Sequence, residues 1–135
     1  METISFDKVF EYDTLKTGIT VLVVLKYDDR EVDFEAKIDT GATDSVFERK
    51  HAERLGINVE SGEFMRFHTA AGKFDAYAHE VGISVLEIET FSRVYFAKEE
   101  SFTRNVLGRQ GFLDRVKMGL IDYEGKLLLS AYGEK

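Results

Sequence analysis

The sequence predicts a mainly-β domain, a small barrel or sandwich with one or two short helices. Three observations lead there. Residues 32–38 alternate without a fault, with Val32, Phe34, Ala36 and Ile38 on one face and Asp33, Glu35 and Lys37 on the other. A period of two is the signature of a half-buried strand. Further short apolar runs are separated by Gly-marked turns, which is how strands rather than long helices are punctuated. Finally, 135 residues at 44% hydrophobic and 32% charged suffice for one core without staples, since a chain of this size hides about two-thirds of its unfolded surface. No repeat, low-complexity stretch or linker divides the chain, so residues 1–135 are expected to form one domain.

Ile19 to Leu25 is a β-branched run between Gly18 and the polar cluster Tyr27-Asp28-Asp29-Arg30. It reads as a buried strand and a turn, forming a hairpin with residues 32–38. After Asp39-Thr40-Gly41-Ala42-Thr43-Asp44, the sequence Ser45-Val46-Phe47-Glu48 spells a capping box. A helix is therefore expected from there to about Leu55, with Phe47, His51 and Leu55 in line and Gly56 as its left-handed stop. Phe64 to Thr69 and Phe74 to Val81 flank the small-residue tip Ala70-Ala71-Gly72-Lys73, a mobile hairpin in prospect. Ile83 to Ile88 and Arg93 to Ala97 are further strand candidates. Val106-Leu107-Gly108 leads into Arg109-Gln110, after which Phe112, Leu113 and Val116 stand at helical spacing. A last hairpin joins Met118 to Ile121 with Lys126 to Ser130.

Composition narrows function. The net charge of −7, without a basic run, argues against phosphate-backbone partners and so against nucleic acid. The longest clean apolar run, Val21 to Leu25, is far short of the ~20 residues that cross a bilayer, so no membrane partner is expected. Met1-Glu2-Thr3-Ile4 has neither a basic n-region nor an apolar h-region, and a cytoplasmic location is expected. Zero cysteines exclude a disulfide framework, a thiolate nucleophile and a Cys-based zinc site. His51, His68 and His79 are the only histidines. One lies on the apolar line of a helix and the others on opposite arms of a hairpin, so neither metal nor another cofactor is expected. Ser45 has no His-Asp partner pattern, and capping accounts for it.

The informative feature is Asp39-Thr40-Gly41-Ala42. A carboxylate directly after a buried strand sits beside a hydroxyl able to bond backbone. The following glycine lets another group approach closely. Taken alone, the triplet also fits an Asx-type turn in which Asp39 bonds its own backbone.

The surroundings resemble the retropepsin-like aspartic protease family, the single-domain group that includes retroviral proteases. An apolar strand runs into Asp39-Thr40-Gly41-Ala42, a hairpin with a glycine near its tip follows some thirty residues on, and Val106-Leu107-Gly108-Arg109 comes near the C-terminus. The resemblance covers most of the chain. It departs at Gln110, where retroviral members carry Asp or Asn, and in the helix before Leu55, which is similar to what bacterial and cellular members insert.

The resemblance implies a closed acid-protease-type barrel with a flap and a homodimeric endopeptidase acting on a peptide or protein substrate. Asp39 would be the catalytic residue. Two carboxylates about 3 Å apart share one proton, because like charges so close cannot both ionise. The ionised member activates a water, and the protonated one polarises the peptide carbonyl. The chain holds one Asp-Thr-Gly and no Asp-Ser-Gly, so the second carboxylate would come from a second copy at a two-fold axis.

Thr40 would brace the two loops, Gly41 would line the cleft floor, Ala42 would complete the active-site loop, and Ala70, Ala71, Gly72 and Lys73 would close over the substrate. Gly108 and Arg109 would support the active-site loop, with Arg109 able to pair with Asp44 or lie at the surface. Retroviral members interleave their termini, and Met1 to Phe6 and Leu127 to Tyr132 have suitable apolar strand character. Two other readings compete: a non-catalytic dimerisation or peptide-binding module of the same fold, and a small barrel whose triplet is coincidental.

Overall fold

The computed structural model describes residues 1–132. Its strands are β1 (Lys8–Glu11), β2 (Ile19–Tyr27), β3 (Arg30–Ile38) and β4 (Val46–Phe47), followed by helix α1 (Arg49–Arg54). Then come β5 (Glu63–Thr69), β6 (Gly72–Val85), β7 (Ile88–Ala97), β8 (Val106–Leu107), β9 (Val116–Ile121) and β10 (Lys126–Ala131). The expected first hairpin is β2–β3, in register from Ile19 opposite Ile38 to Tyr27 opposite Arg30. That leaves Asp28 and Asp29 as the turn, with Asp28 at φ 54°, a left-handed geometry that Asp tolerates better than most residues. Val21, Val23 and Leu25 point inward with Val32 and Ala36, as the period of two requires.

Strand pairing runs in a circuit. β2 pairs β3, β3 pairs β8 in parallel, β8 pairs β4, β4 pairs β7 in parallel, β7 pairs β6, and β6 returns to β2. β5 hangs from β6 outside this ring. A second sheet, ordered β1-β10-β9, adds Leu127 and Leu129 to the core that the ring encloses. Phe47, Phe96, Leu107, Leu25 and Ile83 are among its fully buried members. Each such side chain contributes about 1.5–3 kcal/mol by leaving water.

Four expectations change. No capping box forms. Ser45 O accepts Tyr95 N–H at 3.0 Å, and Val46 pairs with both Tyr95 and Val106, so long-range strand pairing overrides the local helix signal. The helix begins at Arg49, and the amide of Glu48 is met by Asn105 Oδ1 at 3.0 Å. Residues 83–88 are not one strand but the end of β6 and a turn at Leu86 and Glu87, at φ 51° and 69°. Neither residue is Gly or Asn, so the turn left no compositional mark. The helix expected near Phe112 is a single 3-10 turn, Leu113–Arg115, whose flanking Phe112 and Val116 carry the burial. Met1 to Phe6 carries no strand; β1 starts at Lys8, and β10 lies between β1 and β9.

The line of residues expected along the helix is used differently. His51 is 3% exposed, stacks on Phe34 of β3 at 3.8 Å between ring centroids, and leaves both ring nitrogens without a hydrogen bond. Burial pushes its pKa down from 6.5 to about 4. The Glu48 carboxylate, 3.8 Å from Nε2, opposes that shift, while Lys50 and Arg54 add to it. Because the unfolded chain binds this proton more tightly, stability is full above pH 6.5 and falls as pH drops toward 4. The difference from 6.5 to about 4 corresponds to roughly 3 kcal/mol, an upper bound because the ring can open to water as it charges. Denaturant unfolding of His51→Leu is expected to lose that slope and to match or exceed wild-type stability at pH 7, since two buried unpaired nitrogens are removed. An unchanged slope would assign the acid sensitivity elsewhere.

Candidate active site

β3 delivers Asp39 at the point where the chain leaves the barrel wall. The Asp39 amide donates to Leu107 O at 3.0 Å, so the loop starts with its backbone fastened to β8. The side chain then turns back: Oδ1 accepts Gly41 N–H at 2.9 Å, and Ala42 N–H donates to Asp39 O at 3.1 Å. The Asx-type turn and the exposed carboxylate are thus one structure. A Cβ on Gly41 would stand 3.3 Å from Asp39 Oδ1, tight enough to press on the carboxylate. Asp39, Thr40 and Gly41 are exposed in the protomer.

Behind the loop the chain passes a second time. Arg109 N–H donates to Ala42 O at 2.9 Å and Gln110 N–H to Thr43 O at 2.8 Å. Gly108 is buried against the loop: a Cβ there would lie 2.3 Å from Asp44 O and 2.9 Å from Ala42 O. Ser45, fully buried, joins the two passes, accepting from Gly108 N–H at 3.0 Å and donating to Gln110 O at 3.0 Å. Its hydroxyl is therefore a brace for the loop and not a helix cap.

Arg109 supports the loop through its backbone. Its guanidinium is exposed and makes no ion pair with Asp44 among the described residues. Partial burial raises the Asp44 carboxyl above its ordinary value, and the charge opposing that shift is Arg93.

The hairpin β5–β6 closes at Thr69 opposite Gly72, leaving Ala70 and Ala71 as the turn. Thr69 Oγ1 accepts Ala71 N–H at 3.2 Å and donates to Gly72 O at 2.9 Å. Gly72 sits at φ +130° with open space around it, a backbone state that disfavours any side chain. An aromatic cluster fastens the arms of this hairpin to the barrel. Phe67 stacks on Phe74 at 5.0 Å and meets Tyr95 edge-on at 5.2 Å, while Phe74 reaches Phe102 at 4.6 Å. With Val46, Ala76 and Ala78 these rings form a small second core.

The loop and hairpin together bound a cleft of about 660 Å³. Asp39, Gly41 and Ala42 of the loop and Ala70 and Ala71 of the hairpin tip line it, and Val46, Phe67, Phe102 and Val106 give it apolar walls. Five of the residues singled out in the sequence therefore meet in one place. Gly72 and Lys73 line a neighbouring groove instead, Thr40 lines neither, and Gly108 stands behind the loop. His68 borders the cleft, whereas His79 bonds Val59 O at 2.9 Å through Nε2. Sequence reasoning missed Ser45's role, the aromatic walls and Arg104, which borders both the cleft and the groove. Only the density of Phe between residues 64 and 102 hinted at the second core.

Comparison with known proteins adds a family and a fold. A family model described as aspartyl protease matches residues 23–110, a span holding the Asp39 loop, the hairpin and Gly108-Arg109. Among solved structures the chain is similar to the EIAV protease complexed with the inhibitor HBY-793. That match has a TM-score of 0.56 and 21% identity, over 73% of this chain and 88% of that one. At this identity the likeness is one of fold, and the fold is retroviral-protease-like. No curated protein matches the chain in sequence.

Proposed function

The chain belongs to the aspartyl protease family, and from that premise we propose that it is a homodimeric aspartic endopeptidase with one active site per dimer. One observation carries the reading. The exposed Asp39 carboxylate borders a cleft that Ala70 and Ala71 also line, and each chain has a single Asp-Thr-Gly to contribute. Peptide hydrolysis by the aspartic route needs one carboxylate as base and one carboxylic acid as donor, so two copies of Asp39 share the work across a two-fold axis. Thr40, exposed beside Asp39 and outside the cleft, faces the partner's loop in this reading. The hairpin tip closes over an extended peptide, which adds strand-like backbone hydrogen bonds.

Activity per mole of chain should therefore depend on concentration. Below the dimer dissociation constant, a tenfold dilution is expected to lower specific activity about tenfold, in step with the dimer fraction from sedimentation. A fully active monomer would refute the shared site. A dimer that cleaves no member of a diverse peptide library would instead indicate a binding module.

A further inference from the structure

We propose that Arg104 forms a carboxylate-selecting subsite in the cleft, so that an acidic side chain is preferred at one position of the substrate peptide. The inference rests on the endopeptidase reading and names its substrate class. Arg104 is exposed and borders the same cleft as Asp39. Its guanidinium carbon lies 5.4 Å from the ring centroid of Phe102, which itself leans on Phe74. A guanidinium held beside an aromatic ring keeps N–H donors for a carboxylate, which can accept two of them.

The other arginine in the cleft is already engaged. Arg66 donates to both carboxylate oxygens of Asp75, at 2.7 and 3.2 Å. No carboxylate lies within ion-pair distance of Arg104 among the described residues. In a chain with 25 acidic and 18 basic residues, a cation left unneutralised beside a binding cleft lacks a partner that the substrate can bring. Asp39 and Asp44 border the same cleft and repel a substrate carboxylate elsewhere. Arg104 therefore decides where an acid is accepted as well as that it is. The apolar walls at Phe102 and Val106 suit the methylenes of a glutamate.

Short amidated peptides with Glu, Gln or Lys placed at each position in turn test this. Binding to full-length Asp39→Asn protein is read by fluorescence anisotropy, and kcat/KM is read on wild type. Binding of Glu over Gln by about 10-fold or more is expected at one position and its two-fold mate, the low end of what hydrogen bonds to a charged group supply. That preference should shrink with salt, vanish when Arg104→Gln is added, and turn toward Lys with Arg104→Glu. A neutral peptide with a free C-terminus should bind like its amidated form. Tighter binding of the free acid, lost in Arg104→Gln, would give the guanidinium to the chain end and overturn the side-chain subsite. So would a Glu-to-Gln ratio unchanged by Arg104→Gln, or no binding at all. If the Arg104-dependent preference is present but wild type cleaves nothing, the subsite stands and the endopeptidase reading falls. Cleavage without that dependence means the reverse.

Discussion

Replacing Asp39 with asparagine is expected to lower kcat/KM by at least about 10²–10⁴-fold, the range that a positioned acid–base group supplies. The fold should survive. Asn Oδ1 can still accept the Gly41 N–H that Asp39 Oδ1 accepts at 2.9 Å, so the local turn keeps its bond. Nothing else among the described residues holds the carboxylate, and Asp39 is exposed in the protomer. An amide is nearly the same size, but it cannot take a proton from water. In a dimer that brings two copies of the loop together, the change also removes a like-charge contact, so association should hold or tighten. The measurements are kcat/KM on a cleaved peptide, the thermal midpoint and the dimer dissociation constant of both proteins. Hydrolysis near the wild-type rate excludes Asp39 as the catalytic group. Loss of activity together with loss of fold would make the residue structural.

What was legible in the sequence was local. The β2–β3 hairpin could be read because one face of seven consecutive residues is apolar and the turn is polar. The β5–β6 hairpin announced itself through its small-residue tip, and the last hairpin through Gly125 at φ +68°. Asp39-Thr40-Gly41 could be found because the turn that presents the carboxylate is built from adjacent residues. Where long-range partners decide, sequence patterns misled. Ser45 to Glu48 has the spacing of a helix start, yet its backbone belongs to β7 and β8 and its serine to Gly108 and Gln110. The 3-10 turn after Phe112 is short because Val116 is already needed in β9. Arg104 lies in a stretch with no period, between Phe102 and β8. Its proposed role depends on a ring near it and on the absence, among the described residues, of a carboxylate within ion-pair distance, and neither is a property of neighbouring sequence.

Gly108 is where the fold and the site depend on the same few atoms, and Gly108→Ala is expected to damage both. The new Cβ would lie 2.3 Å from Asp44 O, 2.6 Å from Asp44 C and 2.9 Å from Ala42 O. All three are backbone atoms of the loop that follows Asp39, so no side chain can swing aside to make room. Nor is the glycine's own segment free to retreat. Its N–H is bonded to Ser45 Oγ at 3.0 Å and its carbonyl to Leu113 N–H at 3.1 Å. On either side, Leu107 O holds Asp39 N–H at 3.0 Å, and the Arg109 and Gln110 amides hold Ala42 O and Thr43 O. Relief of the clash therefore means breaking several buried backbone bonds or displacing residues 42–44. Overpacking of this kind costs about 3 kcal/mol or more, a drop of roughly 10 °C or more in Tm for a domain of this size. Because the displaced residues include Ala42, whose N–H is bonded to Asp39 O at 3.1 Å, kcat/KM should fall even under conditions where the variant remains folded. Gly82→Ala is the control, since a Cβ there meets nothing nearer than Lys26 Cβ at 3.5 Å. Thermal melts and kcat/KM of the two variants separate the effect of position from that of losing a glycine. If Gly108→Ala melts and cleaves like Gly82→Ala, the loop is not wedged against Gly108, and the close approach of the two chain passages does not set the position of Asp39.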